Sequence, residues 1–171
     1  PHVQSFHSIA APTHTDLSQG ERPESPGRLQ GEAFLAQVSD AVVAVSNAEA
    51  RTAVERLKAP AARLRVIHPG VDTHEFRPRA QALLGRQTVL VAARLEPLKG
   101  VDLAIAMLAQ LPPGERPLLQ VVGGPSADLA FVDSLAQLAS DLGVRADVDF
   151  LGPRDRAGLA GLMRQAALVL V

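Results

Sequence analysis

The chain has 171 residues, 47% hydrophobic and 20% charged, a composition that excludes intrinsic disorder and fits a globular protein. A net charge of −1 and a pI near 6.6 exclude broad attraction to nucleic acid or anionic membrane, so any anion site has to be local. The lack of cysteine excludes disulfide frameworks, thiolate metal sites and cysteine nucleophiles.

In chain order, "VQSF" (3–6) reads as the end of a strand, and the polar stretch 7–27, rich in Pro, Gly and Ser, as a long loop. Leu29, Ala33, Phe34, Ala36 and Val38 form one apolar face of a helix over 28–39. The unbroken apolar run "AVVAV" (41–45) predicts a strand buried on both sides. Ser46 and Glu49 have the spacing of a capping box opening a helix over 47–58, and "RLRVI" (63–67) is the next strand. Residues 68–80 are irregular and read as a linker. Then strands and helices alternate regularly: strand 88–93, helix 100–110, strand 118–122, helix 128–142, strand 147–151, helix 155–166 and strand 167–171. Gly143 has the place of a residue that closes a helix.

The apolar runs are too short to span a bilayer. No charged-then-apolar leader opens the chain, and the expected location is cytoplasmic. A start without Met and an end inside "AALVLV" give the expectation of an internal fragment, inactive alone in the sense that half of each substrate site would lie elsewhere. Its uncovered sheet edges would favour self-association.

Alternating strands and helices predict α/β architecture, with parallel sheets covered by helices on both faces. Ligands of such sheets bind outside the carboxyl ends of the strands, which singles out the loops after Phe6, Val45, Ala93, Val122 and Leu151. In the loop "RLEPLK" (94–99), Arg94 and Lys99 stand between a strand and a helix N-terminus; Lys99 is one of only two lysines. Uncapped N–H groups, a guanidinium fork and an ammonium there suit a diphosphate. Two solvated basic residues, with Arg94 paired to Glu96, are the alternative. Neither a phosphate-binding G-x-x-x-x-G-K-[ST] loop nor a dinucleotide-binding G-x-G-x-x-G follows any strand, which speaks against a Rossmann-type reductase.

The segments "HPGVDTHEFRP" (68–78), "RLEPLK" (94–99) and "LLQVVGGPS" (118–126), in this order and spacing, resemble the retaining GT-B glycosyltransferases of family 4. His7–Ser8, "RPESPG", and Arg28 with Glu32 extend the similarity towards two kinds of member. These are the sucrose-phosphate synthases and the inositol-phosphate N-acetylglucosaminyltransferases of mycothiol synthesis. The resemblance implies Rossmann-like parallel sheets in two incomplete domains. Residues 1–67 would be the end of an acceptor domain, 68–80 the linker, and 81–171 the beginning of a donor domain. It implies transfer of a hexosyl or N-acetylhexosaminyl group, with retention, from a nucleotide-diphosphate sugar to a hydroxyl of a phosphorylated sugar or cyclitol. UDP is the expected nucleotide, and no cofactor or metal is expected.

By the same resemblance Arg94 and Lys99 bind the donor diphosphate, and with His7 they form the reaction centre. Ser8 and Arg28 meet the acceptor phosphate, and Gly123 and Arg154 lie near the nucleotide base. The residue-level alternatives remain a structural His7 at a strand end, solvated Arg28 and Arg154, and a turn-forming role for Gly123 and Gly124. His68, Asp72 and His74 offer donor atoms but belong to the linker motif, so no metal site is expected of them; His2 and His14 have no partner identifiable from spacing. Ala93 departs from the Gly usual in the family before the arginine, which predicts crowding beside the phosphate. The competing functional reading is a non-catalytic sugar-nucleotide or protein-binding module that keeps the fold.

Overall fold

Strands form where the aliphatic runs were expected, and each unit builds its own parallel sheet. The computed structural model describes residues 1–11, 24–25, 27–79, 85–125 and 129–170. His14, Ser126, Val171 and most of the polar loop lie outside the described residues. The chain divides into the units Pro1–Val71 and Asp72–Val171, a division that falls inside the segment read as a linker.

In the first unit β1 (Val3–Phe6), β2 (Ala41–Ala44) and β3 (Leu64–Val66) pair in parallel in that order, with Val3 opposite Ala41 and Val42 opposite Leu64. The helices α1 (Arg28–Val38) and α2 (Asn47–Leu57) connect them. Ala36 and Ala53 are fully buried, and with Phe6, Val42, Leu57 and Ala59 they form the core. Small side chains on both helices permit that close packing. Ser46 Oγ caps α2 by accepting from the Glu49 N–H at 3.0 Å. The box is half made, because among the described residues Glu49 Oε1 is buried without a hydrogen-bond partner. Ala61–Arg63 form a 3₁₀ turn, so β3 is shorter than expected, and its Arg65 and Val66 are exposed.

In the second unit β4 (Thr88–Ala92), β5 (Leu118–Val122), β6 (Val148–Gly152) and β7 (Leu168–Leu170) form one parallel sheet in the order β6-β5-β4-β7. The connecting helices are α3 (Val101–Ala109), α4 (Leu129–Asp141) and α5 (Arg156–Gln165). Val89, Val91, Leu119, Val121 and Val148 from the strands meet Ile105, Leu108 and Leu135 from the helices in one apolar core.

The element ends follow local chemistry. Gly143, at φ 65°, donates to Ser140 O, and Val144 donates to Ala139 O at 2.9 Å; buried Val144 completes this helix-closing motif. A 3₁₀ turn over Arg145–Asp147 moves the start of β6 to Val148. Asp155 caps α5 by accepting from Gly158 N–H.

The linker motif is held by its own residues and by α5. Asp72 Oδ1 accepts from the His74 and Glu75 N–H groups at 2.9 and 3.3 Å, which folds the segment into a turn. Glu75 pairs with Arg156, whose guanidinium lies 5.5 Å from the Phe76 ring centroid, and Arg164 donates to Glu75 O. No helix among the described residues is long and apolar enough to cross a membrane.

Candidate active site

The strand order itself locates a crevice. From β4 the chain steps outward to β5 and β6, then returns to place β7 on the other side of β4. The connection leaving the carboxyl end of β4 runs to β5 on one side while β7 pairs on the other, and ligands of parallel sheets bind beyond such strand ends. A cleft of about 730 Å³ lies there. Val91, Ala92, Ala93 and Leu170 line it from the strands, and Leu98, Lys99, Gly100 and Leu103 from the entry to α3.

The loop that carries Arg94 and Lys99 is tightly built. Ala93 N–H donates to Val122 O, and Leu95 N–H to Gly124 O at 3.0 Å, so the backbone continues alongside β5 past the end of β4. Pro97–Lys99 make a single 3₁₀ turn, closed by Gly100 at φ 62°. That left-handed residue costs glycine little and redirects the chain into α3. Gly100 supplies no side-chain cap, so the first-turn N–H groups of α3 have no side-chain acceptor from it.

Arg94 and Lys99 sit in that loop as expected, in different states. Arg94 is exposed and pairs through Nη2 with Glu96 Oε1 at 2.9 Å, while Glu96 itself is 3% exposed. The carboxylate anchors the guanidinium from below. Lys99 is exposed, and among the described residues its ammonium has no recorded partner. Ala93 packs against the apolar core while lining the cleft.

A second cavity of about 420 Å³ lies beyond the carboxyl ends of β5 and β6, with Gly123, Pro125, Asp133, Gly152 and Pro153 in its lining. Gly123 thus borders it as well as the Arg94 loop. Arg154 follows Pro153 directly, is exposed, and donates to the Pro153 carbonyl at 3.0 Å.

In the first unit the loop after β1 and the first turn of α1 meet. Arg28 Nη2 donates to Ser8 Oγ at 3.1 Å and to Ser8 O at 3.3 Å. Its Nε donates to Glu32 Oε1 at 2.8 Å, and Nη1 to both oxygens of Glu24 at 2.8 and 2.7 Å. Glu32 Oε2 also accepts the Ala10 N–H at 2.8 Å, tying α1 to the loop. The bond to Glu32, first among several contributions, raises the Arg28 pKa above its ordinary value, so the group stays cationic. The structure therefore brings Ser8 and Arg28 together. His7 is exposed and its ring has no recorded partner among the described residues.

Sequence reasoning offered Glu96 as a partner of Arg94, which the structure shows, and missed the carboxylates paired with Arg28. Glu24 and Glu32 each lie four residues from Arg28, a spacing that was available as a signal for Glu32 on the helix. His2, for which spacing identified no partner, has Nδ1 2.8 Å from Ser39 Oγ. His68 Nδ1 lies 3.1 Å from Val45 O. Among the described residues no group of three or more His, Asp or Glu could hold a metal ion.

Residues 1–75 match the family model described as Glycosyltransferase Family 4, and residues 72–171 match that of Glycosyl transferases group 1. Curated relatives include the D-inositol 3-phosphate glycosyltransferases of Mycolicibacterium paratuberculosis and Mycobacterium tuberculosis. They are 40% and 39% identical over 180 residues, which cover 100% of this chain and 40% and 37% of theirs. Among solved structures, Anabaena HepE in complex with UDP and glucose superposes with a TM-score of 0.77 at 28% identity, over 98% of this chain and 45% of that one. Sucrose-phosphate synthase from Thermosynechococcus elongatus gives a TM-score of 0.74 at 23% identity, over 98% and 43%. The chain spans about 40% of the length of the curated relatives it matches.

Proposed function

The chain belongs to the glycosyl transferases group 1 family and has the parallel α/β fold of GT-B glycosyltransferases, and from that premise we propose that it carries parts of both substrate sites of a retaining sugar transferase. The donor is a UDP-sugar carrying a hexosyl or N-acetylhexosaminyl group. The acceptor is a hydroxyl of a phosphorylated cyclitol or sugar, an inositol phosphate first among the candidates.

One observation carries this reading: the Arg94–Lys99 loop stands where the strand order opens a crevice. A diphosphate seated there meets a lysine with no carboxylate partner among the described residues, an arginine anchored from below and the uncapped first turn of α3. As the bond to the sugar breaks, negative charge grows on the diphosphate. Fixed cations and N–H dipoles in a confined cleft stabilise that charge more than they stabilise the ground state. The solved relative HepE was crystallised with UDP and glucose, which supports the choice of nucleotide.

The acceptor side rests on Ser8 and Arg28, with the names of the curated relatives supporting a phosphorylated acceptor. His7 directly precedes Ser8, and its exposed ring can hold donor and acceptor hydroxyls. Gly123 lines the neighbouring cavity and Arg154 follows its lining residue Pro153, and this is where the base is assigned. The scheme draws its charge stabilisation from side chains and backbone and assigns no step to a cofactor.

Full-length protein incubated with UDP-glucose or UDP-N-acetylglucosamine and D-inositol 3-phosphate tests the proposal through acceptor-dependent UDP release. UDP binding without any donor consumption across a panel of sugar and cyclitol phosphates would instead identify a non-catalytic binding module.

A further inference from the structure

Every nitrogen of the Arg28 guanidinium is already engaged. Nε is given to Glu32, Nη1 to both oxygens of Glu24, and Nη2 to Ser8. One cation between two carboxylates is a net negative group, and a phosphate approaching it is repelled. If Arg28 is to receive an acceptor phosphate, a partner has to leave.

The geometry distinguishes the candidates. Glu32 is shared between Arg28 Nε and the Ala10 N–H, and its side chain is only 13% exposed. Removing it would strand the buried Ala10 amide, whose carbonyl is also held by Arg56. Ser8 meets Arg28 partly through its backbone carbonyl, which a change of side-chain rotamer cannot withdraw. Glu24 is 29% exposed and, among the described residues, has Arg28 as its recorded side-chain partner. Water can take over its hydrogen bonds at little cost.

We propose that Glu24 is an internal competitor for the acceptor phosphate, displaced from Arg28 when a phosphate monoester binds, while Glu32 stays and keeps the guanidinium aimed at Ser8. The proposal rests on the reading of Ser8 and Arg28 as an acceptor phosphate site. Displacement exchanges a carboxylate for a phosphate on the same Nη1 edge. A phosphate dianion, with three oxygens and more charge, gains more from the guanidinium and from Ser8 Oγ than one carboxylate does. A neutral hydroxylated ligand offers no such exchange. Glu24 therefore lowers the affinity of the site for phosphorylated acceptors and leaves that for neutral hydroxylated ligands unchanged.

Calorimetric titration of full-length wild-type protein, Glu24→Gln and Glu24→Ala tests this with D-inositol 3-phosphate, inorganic phosphate and unphosphorylated inositol as probes. Both variants should bind the two phosphate-bearing probes about two- to fivefold more tightly, the range of a partly exposed ion pair. Their affinity for unphosphorylated inositol should not change. Unchanged or weaker phosphate binding in both variants overturns the proposal, as does equal tightening for unphosphorylated inositol. Failure of Glu24→Ala to bind either phosphate-bearing probe overturns it too. An Arg28→Ala variant separates the two levels. If it binds D-inositol 3-phosphate as wild type does, the acceptor site has been misplaced, and the role of Glu24 falls with it. If it loses binding while the Glu24 variants do not gain, the site stands and the competitor does not. UDP binding by each variant reports that the protein is folded.

Discussion

A Cβ built on Gly123 would lie 1.7 Å from the carbonyl oxygen of Ala93 and 2.7 Å from its carbon. The end of β5 thus passes so close to the end of β4 that only a hydrogen fits between them. That approach carries the hydrogen bonds by which Ala93 and Leu95 continue alongside β5, and so it fixes the loop bearing Arg94 and Lys99. The opposing atoms are backbone, and no side chain can swing away to make room. Gly123 and the loop bearing Arg94 and Lys99 are one mechanical unit.

Gly123→Ala should therefore cost about 3 kcal/mol or more, the scale of an unrelieved core overlap. The melting temperature should fall, and UDP binding should weaken in whatever protein remains folded. A wild-type melt with wild-type UDP affinity would show that the two strand ends can separate freely.

Lys99→Ala should reduce turnover of the full-length enzyme by about 10² to 10³, as expected for a group that meets charge developing in the transition state. Lys99→Arg should restore part of it, because charge is kept while the point-like geometry is not. Wild-type turnover in Lys99→Ala would remove the ammonium from the mechanism.

Glu96 is the buried anchor of exposed Arg94, and its backbone carbonyl accepts the Lys99 N–H at 2.9 Å. Glu96→Ala should destabilise the protein by about 1–3 kcal/mol through the unsatisfied groups it leaves. It should also raise the Kd for UDP severalfold, because Arg94 is no longer held. Denaturant melts and UDP titration measure the two effects separately. A variant that melts lower but binds UDP normally would leave Glu96 a structural role only.

Gly143 closes α4 at φ 65°, before β6 begins and so at the other end of the sheet from the crevice. Gly143→Ala should cost about 1 kcal/mol for the left-handed conformation, with UDP affinity unchanged. Lower UDP affinity in this variant would mean that the two ends of the sheet communicate.

The elements were legible because their signals are local. Ser46 opening a helix and Gly143 closing one act over three or four residues, and the aliphatic runs of β2, β4 and β5 need only their own sequence to read as buried strands. Where strand starts moved, a neighbouring turn was responsible: Ala61–Arg63 took Arg63 from the expected strand 63–67, and Arg145–Asp147 took Asp147 from 147–151. The capping box lacks its second arm because Glu49 Oε1 is buried with no hydrogen-bond partner among the described residues, which spacing cannot report.

By itself the sequence determined the parallel α/β architecture, the loops at the carboxyl ends of its strands, and the cations in those loops, because periodicity, caps and motif order are properties of neighbours along the chain. Only the tertiary structure decided that β7 returns to pair with β4, since strand order depends on contacts between residues about 80 apart. The same holds for the meeting of Arg28 with Ser8 across 20 residues and the backbone contact between Gly123 and Ala93. It holds for the carboxylates too. Burial fixed Glu96 beneath Arg94, and a bond to Ala10 fixed Glu32 beside Arg28, leaving Glu24 as the more exposed of the two partners of Arg28. A charge in a sequence announces what it could bind; the folded surroundings decide what it is already holding.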